Sequence, residues 1–374
     1  LVGSEMCIRD RYIQGYNIIE NGFNFHGIKR VSHIFSQQYS RSILRENDLL
    51  TIQTGDIGVS AVVGKDIEGA NCHALIISRF IKRAHSPFYC HYFNSHIGRV
   101  KLKEIETGST MKHLNVGDMK SLLLPFPPLT EQQAIATALS DVDELIASLD
   151  KLIAKKRDIK QATMQQLLTG KTRLKGFCEE WVKMPLSKAS WYQEGPGVRN
   201  TQFTTSGIKL LNGTNIVRGK LCLENTNRFI SEQEAFGPYA HFMADEGDIV
   251  IASSGITIER LHEKVAAVQN VDLPFCMNTS TIRFKPNPQL IISAYLYHYL
   301  SSDLFKMDIG GYATGSAQLN YGPSHLNKID VFLPIVEEQQ VIAEVLSDMD
   351  AEITELEQRR NKTTAIKQGM MQEL

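Results

Sequence analysis

No two cysteines in this chain of 374 residues have the spacing of a metal clamp or a redox pair. The six (Cys7, Cys72, Cys90, Cys178, Cys222 and Cys276) stand singly, which argues against a structural zinc site and a disulfide framework and fits a reducing cytoplasm. No apolar run approaches the roughly 18 residues that a membrane span needs. Ile291–Leu300 is among the longest and it carries His298, so no membrane partner is expected. A surplus of one charge is lacking too: the formal net charge is −1, and bulk electrostatics point to no particular ligand. With 43% hydrophobic and 22% charged residues the composition is that of a globular protein, long enough at roughly 150 residues per domain for two or three.

Motifs for chemistry are equally scarce. Thr169-Gly170-Lys171-Thr172 resembles part of a phosphate loop, but Gln165 stands where that loop needs glycine and the segment follows a helical pattern instead of a strand. The nearest approach to an Asn-Pro-Pro-aromatic methylation motif is Phe126-Pro127-Pro128-Leu129, and no glycine-rich cofactor loop is present. His85, His91 and His96 have neither metal-site nor triad spacing, and Ser253-Ser254-Gly255 reads as a turn. The expectation is a protein without catalytic residues, bound metal or cofactor.

A long internal repeat is what the chain does have. Glu131–Leu167 laid on Glu338–Leu374, a shift of 207, gives 18 identities in 37 positions. The same shift sets His91-Tyr92 on His298-Tyr299 and Thr107-Gly108-Ser109 on Thr314-Gly315-Ser316. Further upstream the register slips, with Asp48-Leu49 near Asp248-Ile249 and Asn17 near Asn215. The chain is therefore two copies of one unit, each a globular part followed by a tail.

Each tail has the pattern of a long helix. Thr130-Glu131-Gln132-Gln133, after three prolines, has the form of a capping box in which the Thr130 hydroxyl meets the Gln133 amide. Apolar residues follow at Ile135, Leu139, Val142, Ile146, Leu149 and Ile153, spaced 4, 3, 4, 3, 4. The second tail repeats the spacing with Ile342, Leu346, Met349, Ile353 and Leu356. The first helix should stop at Gly170 and reach roughly 57 Å at 1.5 Å per residue. An isolated helix cannot bury such a stripe. The two are expected to pair side by side, antiparallel, through these eleven residues, the competing arrangement being each helix folded on its own globular part.

The globular parts read as mixed α/β. Strand-like runs occur at Asp48–Gln53, Ala74–Ser78, Asp248–Ala252 and Ser280–Phe284, and a helix-like run at Ile291–Leu300. Leu1–Arg11 shows no periodicity and is read as a non-native leader outside the fold, and the first globular part as lacking its opening piece. Charge is uneven: +4 over residues 1–130, +2 over 131–175, −2 over 176–334 and −5 over 335–374.

The run from Pro125-Phe126-Pro127-Pro128 through Glu131-Gln132-Gln133 to Thr169-Gly170-Lys171-Thr172-Arg173-Leu174 resembles the central conserved region of type I restriction–modification specificity (S) subunits. Leu333-Pro334 through Glu338-Gln339-Gln340 is similar to their distal conserved region, and Thr107–Asn115 also looks like that family. The resemblance implies two target-recognition domains, residues 12–128 (truncated) and 176–334, separated by long conserved helices at 129–175 and 335–374. It further implies a non-catalytic subunit that reads a bipartite, asymmetric site on double-stranded DNA. Its partners would be two methyltransferase (M) subunits and motor-nuclease (R) subunits, with the helices setting the distance between the two readers. Candidate DNA-contacting residues are Lys29, Arg30, Gln53 and Thr54 in the first reader, and Asn215, Arg218, Ser253, Ser254, Arg260 and Lys264 in the second, chosen as base-edge readers or phosphate anchors. The alternatives are an enzyme with divergent motifs, such as a fused methyltransferase or nuclease, and a generic coiled-coil scaffold.

Overall fold

The computed structural model describes residues 9–312 and 319–374. Cys7, most of the expected leader and the Thr314-Gly315-Ser316 half of the repeat lie outside them. The chain divides into two compact units, residues 1–152 with 356–374 and residues 153–355. Both boundaries fall inside the long helices, whereas the sequence reading set the helical segments 129–175 and 335–374 apart as divisions of their own.

In the first unit, strands Lys29–Ser32, Arg9–Ile13 and Asn71–Cys72 form one sheet in that order, antiparallel and then parallel. A second sheet runs Ser60–Val62, Leu49–Ile52, Leu75–Ser78, all antiparallel. Arg9–Ile13 begins inside the segment assigned to a leader, which places Arg9–Arg11 in the fold. Main-chain pairing with residues 29–32 needs no side-chain periodicity, and fully buried Ile13 anchors the strand's far end. Helix Ser86–Asn94 packs on the second sheet through Phe88, Tyr89 and Phe93.

The second unit repeats the plan. Phe229–Ile230, Ile208–Leu211 and Phe275–Met277 match the first sheet in order and sense. Val265–Ala267, Ile249–Ala252 and Thr281–Pro286 match the second, which gains a fourth strand, Ser190–Glu194, on its far side. A ribbon of Val182–Pro185 against Asp330–Leu333 completes the unit. The strand-like runs and the helix Ser293–Leu300 lie within two residues of their expected ends.

Matched polar groups hold the matched frames. Asn17 is fully buried, its Oδ1 accepting from Gln14 N at 3.1 Å and its Nδ2 donating to Asn24 O at 3.0 Å. Asn215 does the same with Asn212 N at 3.0 Å and Cys222 O at 3.4 Å. Asp48 and Asp248 are buried at matched strand starts but take their arginines from different positions: Arg79 makes a two-point contact at 2.9 and 3.0 Å, and Arg283, two positions earlier on its strand, approaches at 3.3 Å.

The long helices are Leu129–Leu167 and Val336–Gln372. The first begins one residue before Thr130, which places Thr130 inside the first turn and replaces the expected capping box. Gln132, not Gln133, is the buried member. Its Oε1 accepts from His85 N at 2.8 Å and its Nε2 donates to Arg83 O at 3.2 Å and Pro127 O at 2.8 Å. Gln339 makes the corresponding bonds with Ile292 N, Leu290 O and Pro334 O. Past Leu167 the chain turns through Gly170 at φ +67°, beside the Trp181 ring, where any side chain would be strained.

Within each unit the helices run side by side and antiparallel. Asp150–Arg360 and Asp143–Lys367 join them in the first unit at 3.2 and 2.5 Å; Lys156–Glu352 and Lys160–Asp350 join them in the second, both at 2.6 Å. Each step forward on one helix is a step back on the other. Of the expected seam, Leu139, Leu149, Ile153, Ile342, Leu346 and Ile353 are buried, while Ile135, Val142, Ile146, Met349 and Leu356 are partly covered. Ile342, Leu346 and Met349 belong to the globular core of the second unit and Ile135 to a core of the first. Each stripe therefore serves its globular part in its opening turns, so the arrangement is a blend of the two that the sequence allowed.

Candidate nucleic-acid interface

In the second unit the sheet ends and their turns enclose an open cleft of about 500 Å³. Amides and hydroxyls dominate its wall, notably Asn212, Asn225, Asn227, Asn278, Thr279 and Ser280. The cations of the wall are Lys264 and Arg228, and no carboxylate is among the lining residues. Such a wall combines bidentate amides, hydroxyls of either polarity and positive charge, the inventory that reads base edges and phosphates.

The structure gathers three of the sequence candidates here, Asn215, Ser254 and Lys264. They are not equally available. Asn215 is buried with both amide ends engaged in its own turn, so in this structure it shapes the wall. Lys264 donates to Gly213 O at 3.1 Å and Ile216 O at 2.6 Å, and burial, followed by the neighbouring Arg260 charge, pushes its pKa below that of an ordinary lysine. Ser254 pairs with Asn320 across a short ribbon at the cleft's rim. Ser253 is 1% exposed, and its main chain bonds to Ser280 and Tyr321 beneath the surface.

Arg218 and Arg260 lie outside the cleft wall. Arg218 tops the hairpin between Ile216–Val217 and Lys220–Leu221, exposed and at φ +49°. Arg260 is exposed and closes on Glu263 at 2.8 and 3.0 Å. In the first unit Lys29 and Arg30 lie on an outer strand opposite Tyr12 and Arg11, both exposed, and Thr54 is exposed. Gln53 is half-buried and donates to Leu114 O at 2.9 Å.

Asn225-Thr226-Asn227-Arg228 and Asn278-Thr279-Ser280 were missed by sequence reasoning. The signal was present as two dense runs of amide and hydroxyl residues, but only the fold brings them to one cleft. Arg228 is further oriented over the Phe203 ring, its Cζ 5.5 Å from the centroid. Among the described residues no group of three or more His, Cys, Asp or Glu could hold a metal ion, and no helix is long and apolar enough to cross a membrane.

Comparison with known proteins places this geometry. The pattern of the type I restriction modification DNA specificity domain matches twice, over residues 10–156 and 199–366. The type I restriction enzyme MjaVIII specificity subunit of Methanocaldococcus jannaschii is 26% identical over 317 residues, covering 82% of this chain and 73% of that protein. A chain from a structure describing the assembly and conformational transition of a type I restriction–modification system superposes with TM-score 0.61 at 16% identity, over 98% of this chain and 91% of the other. The type I S subunit of M. genitalium superposes with TM-score 0.57 at 15% identity, over 99% of this chain and 90% of the other. At these identities the superpositions speak for the fold.

Proposed function

Since the chain belongs to the type I restriction–modification DNA specificity family, matched over both halves of its length, we propose that its two units each read one half of a bipartite DNA target. One observation carries the reading: the repeated frame is kept while the surface on it changes. Asn17 and Asn215, and Gln132 and Gln339, hold matched positions with matched bonds, and Asp48 and Asp248 are buried at matched strand starts. By contrast Asn278 of the cleft stands where the first unit has His73, each backbone amide donating to the end of the neighbouring strand, and Ser253-Ser254 stand where it has Gln53-Thr54. Two like scaffolds with unlike faces suit two unlike half-sites, where a homodimer would read a palindrome.

As a specificity subunit the protein is the non-catalytic member of its system. Methyltransferase subunits, two in number, and motor-nuclease subunits supply the chemistry, and the assembly acts in the cytoplasm. The net charge of −2 on residues 176–334 makes this reader a weak phosphate binder alone, so the M subunits contribute much of the backbone contact. The test uses the full chain with its M subunits on a randomised DNA pool. It should recover two short half-sites with unread bases between them. Arg228→Ala and Ser254→Ala should relax preference at positions of a single half-site, by roughly 1–3 kcal/mol for each lost base contact. Methyl transfer by the chain without M subunits, or no sequence preference with them, overturns the proposal.

A further inference from the structure

The cleft of the second unit carries more polar side chains than it can offer a ligand, because many of them hold the wall together. Asn278 donates its Nδ2 to Asn212 Oδ1 at 3.0 Å and accepts from Thr279 N at 2.9 Å, and the Ser280 hydroxyl accepts from Gly213 N at 3.0 Å. Asn215 and Lys264 are likewise engaged with main-chain groups of the neighbouring turn. A base edge that sought a hydrogen bond from these groups would have to break one already made.

One segment of the wall is built the other way, fixed at its root and free at its tips. Leu223–Asn225 forms a short turn rooted in buried Leu223, and Thr226 N donates to Leu223 O at 3.3 Å. The Thr226 hydroxyl faces inward, donating to Leu210 O and accepting from Arg228 N, both at 3.3 Å, while Leu210 N donates to Arg228 O at 3.0 Å. Thr226 is extended, at φ −85° and ψ 134°, so the side chains on either side of it face the opposite way. These are Asn225 and Asn227, both exposed on the cleft wall, and among the described residues neither side-chain amide has a hydrogen-bond partner. Arg228, also exposed, lies over the Phe203 ring, and among the described residues no carboxylate pairs with it.

The chemistry of these three side chains selects bases. An amide sets one acceptor beside one donor, the complement of adenine N6 and N7, and a guanidinium offers paired donors to guanine O6 and N7. Cytosine N4 calls for a carboxylate, and none lines the cleft. We infer that Asn225, Asn227 and Arg228 are the specificity-determining residues of this cleft, each asparagine reading an adenine and the arginine a guanine within one half-site. The inference rests on the reading of the two units as DNA readers and adds to it the bases that the second one takes. Asn212, Asn215 and Asn278 shape the wall behind the three, and because the backbone is already fixed, DNA has only the side-chain ends to order.

The experiment selects bound duplexes from a randomised DNA pool with the full chain and its M subunits. Asn225→Ala and Asn227→Ala should each lower the preference for adenine about tenfold at one position, and Arg228→Ala the preference for guanine at a third, all within one half of the target. Asn227→Asp should exchange adenine for cytosine at its position, because a carboxylate accepts from N4 and cannot donate to N7. A side chain that only supported the fold would produce no such exchange. The asparagine variants should unfold at the temperature of the parent chain, since their side chains bond to nothing within it. Unchanged base preferences, losses spread over both halves, or a lowered unfolding temperature without a change of base would overturn the assignment alone. A pool that yields no two-part target overturns the reading of the two units as well.

Discussion

His91 and His298 occupy matched positions, and both are nearly sealed from water at 3% and 1% exposure. Each Nε2 is hydrogen-bonded to a serine about three turns into a long helix, Ser140 at 3.3 Å and Ser347 at 3.1 Å, and His298 Nδ1 lies 4.0 Å from the Asp350 carboxylate. Burial holds His91 neutral to about pH 4, with Asp143 and Lys367 acting in opposite senses, and holds His298 neutral to about pH 3, with Lys160 adding to the effect. An unfolded imidazole takes its proton near pH 6.5, so acid favours the unfolded chain. Stability is complete above that value and is lost as pH falls towards 4 and then 3, on the order of 3 kcal/mol per histidine. Urea unfolding at pH 7, 5 and 4 should show this decline, and His91→Gln/His298→Gln should flatten it. The repeat revealed these residues as a pair, but their burial was not legible, because it arises from helices distant in sequence. The same limit applies to the DNA candidates. Asn215, Ser253 and Gln53 carry suitable chemistry, yet hydrogen bonds to residues 7 to 68 positions away decide that they face inward.

At the scale of elements, the long helices were the most legible feature, because a 4, 3, 4, 3, 4 apolar spacing has one regular solution. Their start was legible only to within a residue. Two prolines set the approach, and Gln132 reaches back to Pro127 and across to Arg83 and His85, contacts that no local capping rule contains. Strand positions were visible as short apolar runs, whereas sheet order was not. The parallel pairing of Arg9–Ile13 with Asn71–Cys72 depends on segments about 60 residues apart. Helix partnership is written in charge as well as in the seam. Lys160 donates to both carboxylate oxygens of Asp350 at 2.6 Å, and the lysine is only 15% exposed. Lys160→Glu should destabilise the chain by about 1–2 kcal/mol, and adding Asp350→Lys should recover about 1 kcal/mol of it in a double-mutant cycle read by thermal unfolding. Strict additivity would mean that the pair contributes nothing to holding the helices in register.

For the whole molecule, duplication is what sequence and structure express most clearly, and it implies modularity. Replacing residues 176–334 by the equivalent segment of another specificity subunit should change one half of the DNA target and leave the other intact. Methylation mapping of the hybrid with its M subunits checks this, and a change in both halves would mean that the readers do not act separately. Exchange at the first unit is harder for a covalent reason. That unit is assembled from residues 1–152 and from 356–374, so a segment made earlier is completed by one made only after the whole of the other unit. A premature stop near residue 355 would spare the unit of residues 153–355 and cripple the other, making the first unit contingent on translation through residues 356–374.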